Sequence, residues 1–143
     1  MPDLTLRPAL PGDADALVPL MQQLGYDTNA SHLASWLAGA LPARDRAWVA
    51  LRDGRVAGVI SLQYLPLLHQ AETLARVTAL VVDKHARGGG VASALLRQAE
   101  AAAREHGCQR MEITSSNYRH DAHAFYRHHG YQVPDVTRFI KPL

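Results

Sequence analysis

The chain has 143 residues, 48% of them hydrophobic, which suits one domain with its own core rather than two. A formal charge of +2 with Lys and Arg scattered along the chain excludes a nucleic-acid footprint but leaves room for an anionic small ligand. No window approaches about 18 uninterrupted apolar residues, the first ten residues lack signal-peptide character, and Cys108 is the single cysteine; these features point to a soluble, cytoplasmic protein without internal disulfides, and neither membrane nor nucleic acid as partner.

In chain order, Leu4 and Leu6 alternate with polar residues as in a short strand. Gly12-Asp13 then opens a helical pattern at Leu17, Leu20, Met21 and Leu24, with Pro19 in its first turn or kinking it. Leu33, Trp36, Leu37, Ala40 and Leu41 predict a second helix with Ser31 as N-cap, closed by Pro42; the spacing assigns Trp36 to the core. "RAWVALRDGRVAGVISLQYL" is two strand-like runs around Asp53-Gly54, a hairpin signal. "ETLARVTALVV" ends in the apolar run Ala79 to Val82 expected of a central strand.

Three glycines, Gly88 to Gly90, separate that strand from "VASALLRQAEAAAREHG", a helix with Val91, Leu95, Ala99 and Ala102 on one face. "RMEIT" predicts the next strand and "DAHAFYRHHG" a short helix. "YQV" and "TRFIKPL" suggest two last strands. The order β-α-α-β-β-β-α-β-α-β-β describes an α/β sheet that mixes a hairpin with a βαβ crossover.

A glycine loop feeding a helix suits a phosphate, because helix N-termini leave N–H groups unpaired and carry about half a positive charge. The bland alternative is a flexible turn with a glycine-rich cap. A P-loop would need Lys-Ser/Thr after the glycines, where this chain has Val91-Ala92-Ser93. A dinucleotide fingerprint would need a suitably placed acidic residue, and Glu112 falls within a strand. Eight histidines raise the question of a metal, but His120, His123, His128 and His129 form no His-Glu-x-x-His and have no cysteine pair beside them, so no metal site is expected.

What remains is Arg87-x-x-Gly90-x-Ala92 between an apolar strand and an amphipathic helix. This resembles the acetyl-CoA-binding motif of the GNAT superfamily of N-acetyltransferases, Gln/Arg-x-x-Gly-x-Gly/Ala. Ala122, Phe125, Tyr126, Gly130 and Tyr131 resemble that superfamily's later Ala-x-x-Phe-Tyr and Gly-aromatic pattern. The early "QLGY", Gln23 to Tyr26, is also similar, so the resemblance spans roughly the whole chain as a single domain, 1–143.

The resemblance implies a mixed, mostly antiparallel central sheet with a splayed parallel strand pair, flanked by helices. It implies that acetyl-CoA is the co-substrate, with the backbone of Leu80, Val81 and Val82 pairing with its pantetheine arm. Arg87, Gly88, Gly89, Gly90, Val91, Ala92 and Ser93 would cradle its pyrophosphate. A backbone N–H near Val82 would polarise the thioester carbonyl. The acceptor would be a primary amine of a small molecule or peptide, attacking directly without an acyl-enzyme, and the superfamily leaves room for a homodimer. Tyr126 would be the general acid for the leaving thiolate.

Where many members carry Asn seven residues before that tyrosine, this chain has Arg119, with Asn117 two positions earlier; either could reach the cofactor. For the base, Glu72 leads, with His69 behind it, while Asp83 is better suited to end its strand or anchor the glycine loop. The acceptor groove would draw on Gly25-Tyr26, Trp36 and "YLPLLHQAE", with Tyr64 and Leu65 as an apolar wall. A non-catalytic acyl-CoA-binding or sensor module is the alternative from another class; it would keep the glycine cradle and lack turnover.

Overall fold

A computed structural model describes residues 3–39, 44–115 and 119–143, which fall into two compact units, Met1–Ile113 and Thr114–Leu143. The first holds β1 (Leu4–Pro8), a 3-10 turn (Pro11–Asp13), α1 (Ala14–Leu24), α2 (Ala30–Gly39), β2 (Asp45–Arg52), β3 (Arg55–Pro66), β4 (Thr73–Val82), α3 (Val91–Glu105) and β5 (Arg110–Ile113). The strands lie in the order β1-β2-β3-β4-β5, antiparallel except for the parallel pair β4 and β5. This is the expected mixed, mostly antiparallel sheet. None of the described helices is long and apolar enough to cross a membrane.

The sheet is covered on both faces, and side-chain alternation assigns each residue to one of them. Val49, Val59 and Val81 pack with Leu17 and Leu20 of α1, with Leu33 and Leu37 of α2 at the margin. On the other face a Cβ on Gly58 would touch Val91 and Leu95, so Gly58 lets α3 approach the sheet closely. Tyr64 lies on that same face, 2% exposed and stacked on His106 at 3.9 Å. It belongs to the core and not to an acceptor wall. Trp36 is corrected in the opposite sense, being 37% exposed while its neighbours Leu33 and Leu37 face the core.

Two predicted boundaries move. Asn29 caps α2, its Oδ1 accepting from the His32 N–H at 2.8 Å, two residues before the expected Ser31. Pro19 lies within α1 and not in its first turn. Leu41 and Pro42 lie outside the described residues. The Asp53-Gly54 turn has positive φ at both residues, the twist that a two-residue hairpin requires.

The second unit contains α4 (His120–His128) and an extended tail. Neither of the two last strands is formed. Pro134 and Pro142 remove donors, and Val136, Phe139 and Ile140 are at least three-quarters exposed, so no buried face rewards pairing there.

One charged group is buried at the start of α1. The Asp13 carboxylate accepts two hydrogen bonds from Arg7, both 2.8 Å, and one from the Leu10 N–H at 2.7 Å. The Arg7 guanidinium, helped by the Leu10 N–H, holds its pKa below the ordinary value against the opposing effect of burial. A depressed carboxylate stabilises the fold above its unfolded pKa of about 4, and that stability is lost as pH falls through the lower folded value. Asp13→Asn is therefore expected to cost about 2 kcal/mol at neutral pH. Urea unfolding checks this, and the gap between variant and wild type should narrow when the pH is taken below the folded value.

Candidate active site

The parallel pair β4 and β5 is joined only from Leu74↔Arg110 to Val77↔Ile113. Beyond Val77, β4 continues to Val82 against β3, and among the described residues no strand pairs with its other edge from Thr78 onward, which leaves that edge open there. The register of β3 and β4 shifts between Ser61 and Leu62, leaving Thr78 as an extra residue on β4. Such a bulge bends the strand that carries it, and here it lies where β4 leaves β5. Ser61 Oγ and Thr78 Oγ1 meet at 2.6 Å across it. The open edge carries Leu80, Val81 and Val82; the Val81 side chain is buried in the α1 core, so the edge offers backbone rather than side chain.

The edge leads directly into the glycine loop. Asp83 anchors its start: its carboxylate accepts from the His85 N–H at 3.1 Å, its N–H donates to Ala57 O at 2.8 Å, and its carbonyl accepts from Ala86. The backbone bond from His85 depresses the Asp83 pKa. Gln23, from the "QLGY" segment, accepts from the Lys84 N–H at 2.9 Å. Gly90 is the N-cap of α3 with φ 79°, a left-handed conformation that L side chains rarely adopt. Gly88 and Gly90 each have open space where a Cβ would stand. Arg87 is exposed beside them, its Nε 3.4 Å from Val82 O. Val91, the first residue of α3, is buried, while Ala92 and Ser93 are half-buried in the same first turn. The N-terminal N–H groups of α3, an open glycine loop and an arginine form a donor set that fits a pyrophosphate.

The sheet face carrying Val59 and Val81 is apolar under α1 and polar farther along. Ser61, Thr78, Gln63, Arg76 and Glu112 lie there. Arg76 donates to Glu112 Oε1 from Nε at 2.9 Å and from Nη2 at 2.8 Å, with both side chains about two-fifths exposed. This pair sits one register step before the point where β4 and β5 part. Sequence reading missed it, because only the parallel register brings residues 36 positions apart together.

Glu72 stands just before β4, at the end of the strand away from the glycine loop, and forms an ion pair with Arg110. Val77 lies five residue steps further along the chain, about 17 Å at the usual rise. His69 is exposed in the preceding loop.

In the second unit Tyr126 lies on α4, its ring 5.5 Å from Phe125 and 6.2 Å from Tyr131. Burial raises the pKa of its phenol above the ordinary value, with the Arg119 charge opposing. Arg119 is the α4 N-cap, and Asn117 lies outside the described residues. Cys108 follows α3, and burial likewise raises its thiol, which makes it a poor nucleophile. Among the described residues no three His, Cys, Asp or Glu side chains gather as metal ligands.

The family model described as "Acetyltransferase (GNAT) family" matches residues 16–131. An aminoalkylphosphonate N-acetyltransferase of Salmonella typhimurium is 34% identical over 148 aligned positions, which cover 100% of this chain and 94% of that protein. Among solved structures, a transcriptional regulator from Bacillus halodurans superposes with a TM-score of 0.85 at 21% identity, covering 97% of this chain and 99% of that one. A Trypanosoma brucei acetyltransferase superposes with a TM-score of 0.82 at 23% identity, covering 98% of this chain and all of the other.

Proposed function

The chain belongs to the GNAT acetyltransferase family, and from that premise we propose that it transfers an acetyl group from acetyl-CoA to the primary amine of a small molecule. The observation that carries this reading is the continuity of the open β4 edge with the glycine loop at the N-terminus of α3. The open edge, Leu80 to Val82, offers peptide groups to an extended pantetheine arm. The loop from Arg87 to Ser93 offers N–H groups and a cation to the pyrophosphate. The amine nitrogen bonds to the acetyl carbon, the carbon–sulfur bond breaks, and the thiolate takes a proton from Tyr126.

For the acceptor, we propose an aminoalkylphosphonate or a similarly short amine bearing an anionic group. Two things support this: the Salmonella relative that aligns with the whole of this chain is an aminoalkylphosphonate N-acetyltransferase, and Arg76 stands on the polar face beside the fork. A panel of amines of equal length carrying a phosphonate, a carboxylate or a neutral terminus tests the acceptor class. The phosphonate should give the highest kcat/KM, and preference for the neutral amine would remove the proposal.

The ammonium acceptor must also lose a proton. Each glutamate is paired with an arginine, Glu112 with Arg76 and Glu72 with Arg110, but Glu112 lies one register step from the fork whereas Glu72 lies at the far end of β4. We therefore assign proton removal to Glu112, directly or through a water, in preference to Glu72. The ascending limb of the kcat/KM profile should move or vanish in Glu112→Gln. Its loss in Glu72→Gln instead would restore Glu72 as the base.

A further inference from the structure

Arg52, the last residue of β2, reaches across to the glycine loop. Its Nη2 donates to Gly89 O at 3.0 Å and its Nη1 to Ala86 O at 3.4 Å. Its Nε is buried without a partner among the described residues. Gly89 differs from its neighbours in having no positive φ; what demands glycine there is space, since a Cβ would overlap the Arg52 guanidinium.

Within a trans peptide the C=O of one residue and the N–H of the next point in opposite directions. By drawing the carbonyls of Ala86 and Gly89 toward itself, Arg52 turns the N–H groups of Arg87 and Gly90 the other way. Among the described residues no backbone carbonyl accepts from those two N–H groups. We propose that Arg52 is a positioning residue for cofactor binding: it fixes the glycine loop with carbonyls on one side and anion-binding N–H groups on the other. This rests on the reading that the loop binds the pyrophosphate of acetyl-CoA. A guanidinium suits the task because it donates in two directions from one rigid plane, whereas lysine offers a single point of charge.

The test compares acetyl-CoA with S-acetylpantetheine, an acetyl thioester that lacks the nucleotide and its phosphates, in wild type, Arg52→Met, Arg52→Lys and Arg52→Gln. The KM for acetyl-CoA should rise about tenfold or more in Arg52→Met, the scale of a lost charge-assisted hydrogen bond, with kcat at saturating acetyl-CoA little changed. Arg52→Lys should fall between wild type and Arg52→Met. The kcat/KM for S-acetylpantetheine should stay at the wild-type value throughout. Arg52→Gln, which keeps a donor but loses the charge and the two-directional fork, should show the same split and serves if Arg52→Met does not fold. An unchanged KM for acetyl-CoA in the folded variants overturns the proposal, as does an equal loss with both thioesters, which would mean a general structural role. If wild-type protein fails to bind acetyl-CoA, the pyrophosphate reading falls, and the role of Arg52 falls with it.

Discussion

Tyr126→Phe is expected to lower kcat by about 10- to 1,000-fold while leaving the affinity for acetyl-CoA close to wild type, if protonation of the departing thiolate limits the rate. The substitution removes one oxygen and keeps the ring that packs near Phe125 and Tyr131, so α4 should survive it. Circular dichroism and a binding isotherm separate a lost proton donor from a lost fold. The pH dependence gives a second check. Burial raises the Tyr126 phenol above its ordinary value, so the acid form that donates the proton persists to higher pH. Activity limited by this group should fall only above the usual tyrosine value of about 10, and that descending limb should be absent from the Phe variant. A Phe variant with wild-type kcat in single-turnover measurements would remove Tyr126 from the chemistry.

Much of the molecule was legible in local patterns, and what was not depends on register or on neighbours. The hairpin around Asp53-Gly54 and the strand–glycine–helix passage into α3 follow from turn chemistry and periodicity within a few residues. Arg76 and Glu112 are each unremarkable surface charges in sequence; only the four-residue parallel ladder makes them a pair. Arg52 likewise reads as a strand-end charge until the fold brings the hairpin beside residues 86–89. Tyr64 shows why the acceptor wall was misread: an alternating strand identifies two faces but not which one a helix will cover. The tail misled differently, since its apolar residues have strand propensity but no buried face to reward it.

Gly90→Val should weaken acetyl-CoA binding about 10- to 100-fold, a loss of about 1.4 to 2.7 kcal/mol. Crowding by packed protein is not the cause, because a Cβ at this position meets open space. The cause is φ 79° at the N-cap of α3: a β-branched residue there either bears the left-handed strain or turns the loop and misdirects its N–H groups. Asn tolerates that conformation better, so Gly90→Asn should bind more tightly than Gly90→Val. Calorimetry with CoA measures both. Equal affinities for wild type and a folded Gly90→Val would remove the loop from cofactor binding, and equal losses for Val and Asn would assign the effect to side-chain bulk rather than to backbone conformation.

Direct acetyl transfer from acetyl-CoA to a primary amine is tested by simultaneous measurement of released CoA thiol and N-acetylated product. With a saturating aminoalkylphosphonate the expected result is one thiol released per product amide, turnover that continues through many enzyme equivalents, and no acetylated protein in the intact mass. Tight binding of acetyl-CoA with neither thiol release nor product across the amine panel would contradict it and mark the chain as an acyl-CoA-binding module.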